Sequence, residues 1–473
     1  YFDTSSSPTT KVADDITGLS YAIPALEKGV KYYWKVVATD PTGSVTSSVM
    51  NFTTTWSDEW TYSTDDDVNT VAITSDGSYI AAGSNDDKVY QFVKESNDTL
   101  WSYGIGGDVA DMAIAVDNGD YIVASRGNNV YLLRRESSHL VWSYNTANKP
   151  VNGVDISGNG TYLVAGSDSN FVYFFNSSGL VWTHNNNNDI LDVAISRDGE
   201  YLVAGTDNRR VKLFDKDSST PSWSYDSGND VILVDISGNG EYIIAANENN
   251  ALFLFDKDSS SPQWSYSVGS VIKSIQISDD GEYIVLGSSN NKVYVFDKDS
   301  STPLWIYTTG GDVNAVSISA DGDYIVAGGN DDKVYLWERG NSTPALTYDI
   351  GSDVGSISLS NNARYLVAGS TDNKVYLFRN SLVRPFVIPY SPSRGAEFEA
   401  TSATLEWYAS SNDYSNLTFD VYLDSSSNPT TKIAGNLTSR SYTVTGLDKG
   451  VKYYWKVVAT DPTGNATSSV MNF

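Results

Sequence analysis

Six aspartates recur at one position of a repeated sequence, and they are the side chains best placed to do chemistry together. They stand directly before segments that we predict to be the innermost strands of a ring of small sheets: Asp67, Asp108, Asp189, Asp230, Asp312 and Asp353, with Pro150 and Ser270 at the two remaining positions. Carboxylates that converge on one mouth of a ring could bind Ca²⁺, a hard ion that prefers oxygen ligands. We favour the simpler interpretation that each Asp caps its own turn, because repetition in a repeat protein is first a requirement of folding. We therefore predict no metal and no cofactor, and keep these six residues as the candidate calcium ligands.

The remaining reactive residues favour no enzyme. Asp-Lys-Asp-Ser-Ser recurs at 215–219, 256–260 and 297–301, but it lacks the Gly and the distal Glu of a calcium loop, so we predict a turn. Of the two histidines, His139 and His184, the second replaces Tyr in a Trp-x-Tyr segment, which indicates a structural role on an outer strand. The chain has no cysteine, no Gly-x-Ser-x-Gly, no phosphate-binding Gly loop and no His-Glu-x-x-His.

A repeat of about 41 residues must position these side chains. Its hallmark tyrosine recurs eight times at spacings of 39 to 42 residues: Tyr79, Tyr121, Tyr162, Tyr201, Tyr242, Tyr283, Tyr324 and Tyr365. Each copy has four short segments rich in Val, Ile, Tyr and Trp, separated by Asp-Gly and Asn-Asp turns, which predicts four antiparallel strands. The second segment is apolar on both faces, as in blades stacked around an axis. The even spacing leaves no connector long enough for an active-site loop, which favours a scaffold.

The motif Asp-Gly-x-Tyr-Ile-Val-Ala-Gly and the run Phe296 to Trp305 (FDKDSSTPLW) resemble the WD-repeat and quinoprotein-like propellers over residues 60 to about 379. The resemblance implies an all-β, eight-bladed β-propeller at 56–380, but the match lies in positions that build blades, so no cofactor residue is carried over. Trp-Thr-Tyr at 60–62 precedes any inner strand, and we predict that it completes the last blade. Chain entry near Glu59 and exit near Arg379 should then be neighbours.

The two ends of the chain share one sequence. Residues 1–52 match 422–473 at a constant offset of 421, and KGVKYYWKVVATDPTG occurs in both copies. The complete copy, 381–473, resembles a fibronectin type III domain in its TSATLEW, LTFDVYLD and SYTVTGL strands and in Tyr453, six residues after Leu447 as in a tyrosine corner. We predict that 1–55 is the C-terminal half of such a domain, and that 380–395 is a linker stiffened by prolines.

The first copy has no counterpart of the TLEW strand. Alternation places Tyr32, Trp34, Val36 and Ala38 on one apolar face, which we predict to be an interface between units. Two explanations remain. Either the chain is a window of a longer tandem polypeptide, or a neighbouring subunit donates the strands. Both predict a linear array.

Composition indicates a cell-surface protein. The net charge of −27 and pI near 4.3 argue against binding nucleic acid, and no apolar run spans a bilayer. Eight Asn-x-Ser/Thr sequons predict N-linked glycans: Asn51, Asn97, Asn159, Asn176, Asn341, Asn416, Asn436 and Asn465.

Together these features predict a structural, tandem-repeat glycoprotein. We expect a unit of an extracellular filament, stalk, sheath or surface layer, whose partners are copies of itself. The combination resembles the propeller and fibronectin modules of prokaryotic, notably archaeal, cell-surface proteins. One alternative is an adhesin that binds a glycan or protein through the propeller face. A more distant alternative is a quinoprotein-like enzyme.

Overall fold

The computed structural model describes residues 1–12, 31–40, 43–53, 58–146, 149–380, 386–392, 401–410, 417–461 and 464–473. Over these residues the regular structure consists of β-strands, and no helix is present that could span a membrane. The strands form eight four-stranded antiparallel sheets, a separate pair of facing sheets near the C-terminus, and two small sheets at the N-terminus.

The eight four-stranded sheets are the blades of a propeller. Blades 1 to 4, each from the inner to the outer strand, are Val68–Ile73, Tyr79–Ser84, Lys88–Val93 and Ser96–Gly104; Asp111–Ile114, Tyr121–Arg126, Asn129–Arg134 and Ser137–Asn145; Val151–Ile156, Tyr162–Ser167, Phe171–Asn176 and Gly179–Asn185; Ile190–Ile195, Tyr201–Thr206, Arg210–Asp215 and Trp223–Asp226.

Blades 5 to 8 follow the same order. They are Val231–Ile236, Tyr242–Asn247, Ala251–Asp256 and Trp264–Ser267; Ile272–Ile277, Tyr283–Ser288, Lys292–Asp297 and Trp305–Thr308; Val313–Ile318, Tyr324–Gly329, Lys333–Glu338 and Leu346–Asp349; Val354–Leu359, Tyr365–Ser370, Lys374–Arg379 and Asp58–Ser63. Each inner strand contacts the inner strand of the next blade, and the last contacts the first, so the ring is closed.

The outer strand of blade 8 comes from the beginning of the propeller sequence. Asp58–Ser63 pairs with Lys374–Arg379, with Trp60 opposite Leu377 and Asp58 opposite Phe378. The predicted completion of the last blade by Trp-Thr-Tyr is therefore confirmed. Entry and exit of the chain lie side by side, because their strands are hydrogen-bonded neighbours.

Apolar packing between blades explains why the second and third strands are apolar on both faces. Val285 and Val295 of blade 6 share one core with Val316, Ile325 and Trp337 of blade 7, all at most 5% exposed. A blade removed from the ring would expose both of its faces, so the repeats stabilise one another.

Tryptophans of the outer strands link consecutive blades at the rim. The indole nitrogen of Trp305 donates to the carbonyl of Arg339 in the next blade at 2.6 Å. Five more indoles donate in the same way to the carbonyl 34 residues further along the chain: those of Trp60, Trp101, Trp182, Trp223 and Trp264. Trp142 donates to the carbonyl of Ser177. Blade 7 has Leu346 at this position.

Two sheets near the C-terminus form a β-sandwich. One contains Phe386–Ser391, Ser402–Ser410 and Ser441–Thr445, and the other contains Lys432–Leu437, Thr418–Asp424, Tyr454–Asp461, Gly464–Thr467 and Met471–Asn472. Trp407 and Phe419 meet edge to face in the shared core, with ring centroids 5.4 Å apart. The predicted linker 380–395 is wrong over 386–391, because this segment is an edge strand, where prolines are tolerated.

The first copy folds locally like the second. Phe2–Asp3, Lys31–Trp34 and Met50–Thr53 form one sheet, and Val37–Asp40 pairs with Gly43–Thr46. Trp34 lies opposite Met50, as Trp455 lies opposite Met471. The two copies therefore share their strand register, although only the second has a sheet facing it among the residues described.

Candidate functional site at one mouth of the propeller

One mouth of the central channel is built by the turns that follow the inner strands. The turn begins with Ser or Thr in every blade except blade 2, where Ala115 stands. The residues that follow are Ser75, Gly158, Arg197, Gly238, Asp279, Ala320 and Asn361, with Val116 and Asp117 in blade 2. Backbone hydrogen bonds join these turns from blade to blade, for example from Gly158 N to Arg197 O at 2.8 Å. Among the described residues, this ring of bonds is not continued from Arg197 to Gly238, nor from Gly238 to Asp279.

Arg197 fills the mouth and joins blades across the axis. Its guanidinium bonds Asp117 Oδ1 at 2.8 Å through Nε, Asp279 Oδ2 at 2.6 Å and Ser75 Oγ at 2.9 Å. Its side chain is only 10% exposed. Burial lowers the pKa of Arg197, but the carboxylates of Asp279 and Asp117 raise it more, so the guanidinium stays charged. One side chain thus holds blades 1, 2, 4 and 6 together.

The β-sandwich docks on this mouth through two tyrosines. The guanidinium carbon of Arg197 lies 4.1 Å from the ring centroid of Tyr408, and the Tyr408 hydroxyl donates to Asp117 Oδ2 at 3.2 Å. Tyr390 stacks on Tyr408 at 4.3 Å. The result is a three-layer stack of cation and two aromatic rings, which fixes the sandwich against the propeller.

A cavity of about 230 Å³ lies beside this stack, between the two domains. Its walls come from the turns of blades 2 to 6 and from the sandwich: Asp117, Asn159, Arg197, Asp198, Gly238, Asn239, Asp279, Asp280, Pro389, Tyr390, Tyr408, Ser469 and Met471. Ligand sites are common at such domain interfaces.

The inner strands that line the channel carry four carboxylates that sequence reasoning missed, called the channel carboxylates below. Val154 and Ile156 pack in the core between blades 2 and 3, so Asp155 between them lies on the opposite face of its strand, toward blade 4. Its Oδ2 accepts from Ile195 N of the next blade at 2.9 Å. Asp111, Asp192 and Asp235 bridge to the next blade in the same way, while Ser274, Gln276, Ser317 and Ser356 do so in blades 6 to 8.

Burial raises the pKa of all four channel carboxyls. It is the largest cause in each, and it raises the pKa of Asp155 and of Asp235 to about 7, against two backbone hydrogen bonds that lower it. The pKa values of Asp111 and Asp192 are raised for the same reason. The available signal was a charged residue inside an otherwise apolar strand, as in Val-Asp-Ile-Ser.

The six aspartates before the inner strands are not gathered into a metal site. In the part of the chain that the structure describes, no three His, Asp or Glu side chains are placed to share a metal ion. The backbone carbonyls of Asp67, Asp189, Asp230, Asp312 and Asp353 accept bonds from the turn after the second strand of their own blade. The Asp-Lys-Asp-Ser-Ser runs are turns, since Asp217 N donates to Asp215 Oδ1 at 2.9 Å.

His184 lies on an outer strand, as predicted. Its ring packs edge-on against Phe214, with Nδ1 at 2.8 Å from Ser219 O. Burial, followed by Lys212, lowers its pKa. The side chain of His139 lies outside the described residues.

Five sequon asparagines are exposed: Asn97, Asn159, Asn341, Asn436 and Asn465. Asn176 is half-buried, and Asn416 and the side chain of Asn51 lie outside the described residues. Asn159 differs from the others because it lines the cavity. N-linked glycosylation stays a prediction for all eight.

Three of the four predicted interface residues are exposed. Trp34 is 37% exposed and Val36 53%, and Ala38 is also exposed. Tyr32 is only 8% exposed, because Phe2 from the neighbouring strand stacks on its ring at 4.8 Å.

The architecture defines the class of protein, an eight-bladed β-propeller with a β-sandwich docked on one mouth. The chain belongs to the family described as outer membrane protein assembly factor BamB, whose model matches residues 35–188 and 171–382. This agrees with the quinoprotein-like part of the resemblance. A search among curated proteins found no match.

Solved structures support the fold. The crystal structure of the computationally designed Ika8 protein is similar with a TM-score of 0.58 and 14% identity, over 67% of this chain and 98% of that chain. At this identity the likeness concerns the fold alone, so function must be argued from the residues.

Proposed function

We propose that the chain is a structural repeat unit of an extracellular filament, stalk, sheath or surface layer, assembled head to tail, in which strands of the preceding unit complete the N-terminal half-sandwich. One comparison carries the proposal. Trp34, Val36 and Met50 are 37%, 53% and 51% exposed, while their counterparts Trp455, Val457 and Met471 in the second copy are 0%, 0% and 2% exposed. These three positions are covered in the second copy and exposed in the first.

The second copy indicates what the cover consists of. Leu405 and Trp407, on strand Ser402–Ser410, share one core with Trp455 and Val457. The first copy presents this face in the same register, so an equivalent strand would find a matching surface. An open apolar face is otherwise a strong driver of association.

Other features support a series of similar joints at a cell surface. Asp448 N donates to the hydroxyl of Tyr453 at 3.2 Å, a bond of the tyrosine-corner type, which favours the fibronectin type III resemblance. The exposed sequons and the net charge of −27 suit a glycosylated outer surface, as in prokaryotic, and we infer archaeal, surface proteins. The adhesin and enzyme alternatives stay predictions.

The assembly is tested by adding residues 381–421 in front of Tyr1, the position that they hold before Tyr422. We expect the added segment to slow amide hydrogen exchange across 31–53, because it would cover Trp34 and Val36. An added segment with Asp at the positions of Leu405 and Trp407 is the matched control and should give no protection. Equal exchange with and without the wild-type segment would refute strand completion.

Cell-surface location is tested separately. Antibodies against the propeller should label the outside of intact source cells, and electron microscopy should show the label at regular intervals along a filament or lattice. Label confined to the cell interior would overturn the extracellular role, whatever the exchange experiment gives.

A further inference from the structure

The cavity between the propeller and the sandwich has the size and lining of a sugar site. At about 230 Å³ it is smaller than the roughly 300–1,000 Å³ of pockets for drug-sized ligands, so its occupant is small. We propose that it binds one sugar ring, neutral or amino-substituted, between Tyr390 and the turn at Gly238. This inference does not rest on the assembly proposed above.

The cavity coincides with a gap in the ring of backbone bonds at the mouth. The backbone bonds that close the ring elsewhere are missing on both sides of Gly238, among the residues described. A β-carbon at Gly238 would lie 3.0 Å from Asp279 Cβ, so a larger residue would crowd this wall. The cavity therefore lies where the ring of turns is open, at Gly238 of blade 5.

The lining combines an aromatic surface with hydrogen-bond acceptors. Tyr390 is 41% exposed, although Tyr408 covers one of its faces. Asp280 Oδ1 is held by Ser278 and Glu282 N at 2.6 and 3.1 Å, and Asp198 Oδ1 is held by its own turn in the same way. The second oxygen of each carboxyl has no partner among the described residues, so it can accept from a hydroxyl or an ammonium group.

Charge decides which sugars fit. Arg197 neutralises Asp117 and Asp279, but in the described part of the chain neither Asp198 nor Asp280 has a cationic partner. Burial raises the pKa of Asp280 to about 7, so this group can also donate a proton near neutral pH. An anionic sugar would be repelled, while a neutral sugar or an amino sugar would be accepted.

The sugar could come from another molecule or from the chain itself. Asn159, a sequon residue, lines the same cavity, and its Oδ1 accepts from Thr161 N at 2.9 Å. Its amide nitrogen, the atom that would carry a glycan, makes no hydrogen bond within the described residues. A glycan on Asn159 could place its first sugar in the cavity.

Saturation-transfer NMR on the full chain from a host without N-glycosylation tests the site. The probes are glucose, N-acetylglucosamine, glucosamine and glucuronate. We expect transfer to the first three and little to glucuronate, with affinity at least about tenfold weaker in Tyr390→Ala. Asp280→Asn should weaken glucosamine most and leave the fold intact, since Asn occupies this turn position in blades 2, 3, 5 and 8.

Asp321→Asn is the matched control. Asp321 caps the equivalent turn of blade 7 through Ser319 but does not line the cavity. It should leave sugar binding unchanged. No transfer to any probe, or transfer equal in wild type and Tyr390→Ala, would overturn the proposal.

Glycosylated protein from the source cells separates the two origins of the sugar. If the Asn159→Gln variant binds free sugar and the native protein does not, the chain's own glycan occupies the cavity. If native protein binds free sugar as well as the variant, the ligand is external. Both results support a sugar site, while failure of both to bind, with no glycan at Asn159, would contradict it.

Discussion

Arg197 lies with its guanidinium carbon 4.1 Å from the ring centroid of Tyr408, and this contact joins the propeller to the sandwich. The two residues are 211 positions apart in the chain. Because Arg197 also bonds Asp117 and Asp279, the docking contact and the cross-channel contact depend on the same side chain.

Replacing Arg197 with Ala should destabilise the propeller and release the sandwich. Removal of one partner from a buried ion pair leaves the carboxylates unpaired, and we expect a loss of about 3 kcal/mol in the free energy of unfolding. Calorimetry should then resolve two transitions in place of one. Arg339→Ala is the control, because Arg339 stacks on Tyr283 at 3.7 Å within the propeller. One transition in both variants would contradict the joint role.

Gly322→Ala should show why the Asp-Gly turn and the hallmark tyrosine occur together. Gly322 has φ +68°, and a β-carbon there would lie 2.4 Å from Cδ2 of Tyr283 in the preceding blade. Gly351→Ala is the matched control, since Gly351 has φ +77° with nothing within 4 Å. We expect about 1 kcal/mol for the control, from the left-handed backbone alone, and at least about 1 kcal/mol more for Gly322→Ala in urea unfolding. Equal losses would refute the packing argument.

The sequence predicted the propeller because the turn and the tyrosine repeat eight times, so each blade confirms the others. It predicted the closing strand because Trp60 has no inner strand before it. It did not predict the role of Arg197, which looks like one variable turn residue in Ser-Arg-Asp-Gly. Its partner Tyr408 lies in another domain, and no local pattern shows how a sandwich docks on a propeller.

The channel carboxylates were missed for a related reason. The calcium hypothesis concerned only positions before the inner strands, because Asp recurs there in six blades. Asp155 and Asp235 lie inside the strands, and other blades use Ser or Gln for the same bridge. Because Asp, Ser and Gln make the same bridge in different blades, no single residue type marks this position in every blade.

The free energy of unfolding should fall as the pH rises through about 7, because Asp155 and Asp235 ionise there in the folded protein. Their pKa values are raised in the folded protein to about 7 from an unfolded value of 3.8. The folded state therefore binds more protons between these values, and the stabilisation present at low pH is lost as they ionise. We expect the Tm to be higher at pH 5.5 than at pH 8.

Asp235→Gln isolates this effect from the general relief of the net negative charge. Gln276 holds the equivalent position in blade 6 and bonds Ile318 N through Oε1 at 2.9 Å, so Gln can preserve the bridge. The variant should show a smaller Tm difference between pH 5.5 and pH 8. The difference should shrink by roughly 2–4 °C for each kcal/mol of pH-dependent stability that the substitution removes. Asp215→Gln is the control, because Asp215 lies at the end of the third strand of blade 4, away from the inner strands. It should keep the wild-type pH dependence, and a change equal to that of Asp235→Gln would exclude the channel as the source.

The same substitution at two equivalent positions separates folding from assembly. Val457 is fully buried in the sandwich, so Val457→Asp places a charge in an apolar core and should cost at least about 4 kcal/mol, enough to unfold this domain. Val36, 421 residues earlier, is 53% exposed, and Val36→Asp should change the stability of the chain by less than about 0.5 kcal/mol. If strands of another unit cover this face, Val36→Asp should instead abolish the exchange protection given by the added segment 381–421, and with it the association of units measured by sedimentation. A Val36→Asp chain that is protected and associates like the wild type would show that the open face is not the joint, because a buried carboxylate there would oppose every contact that the proposal requires.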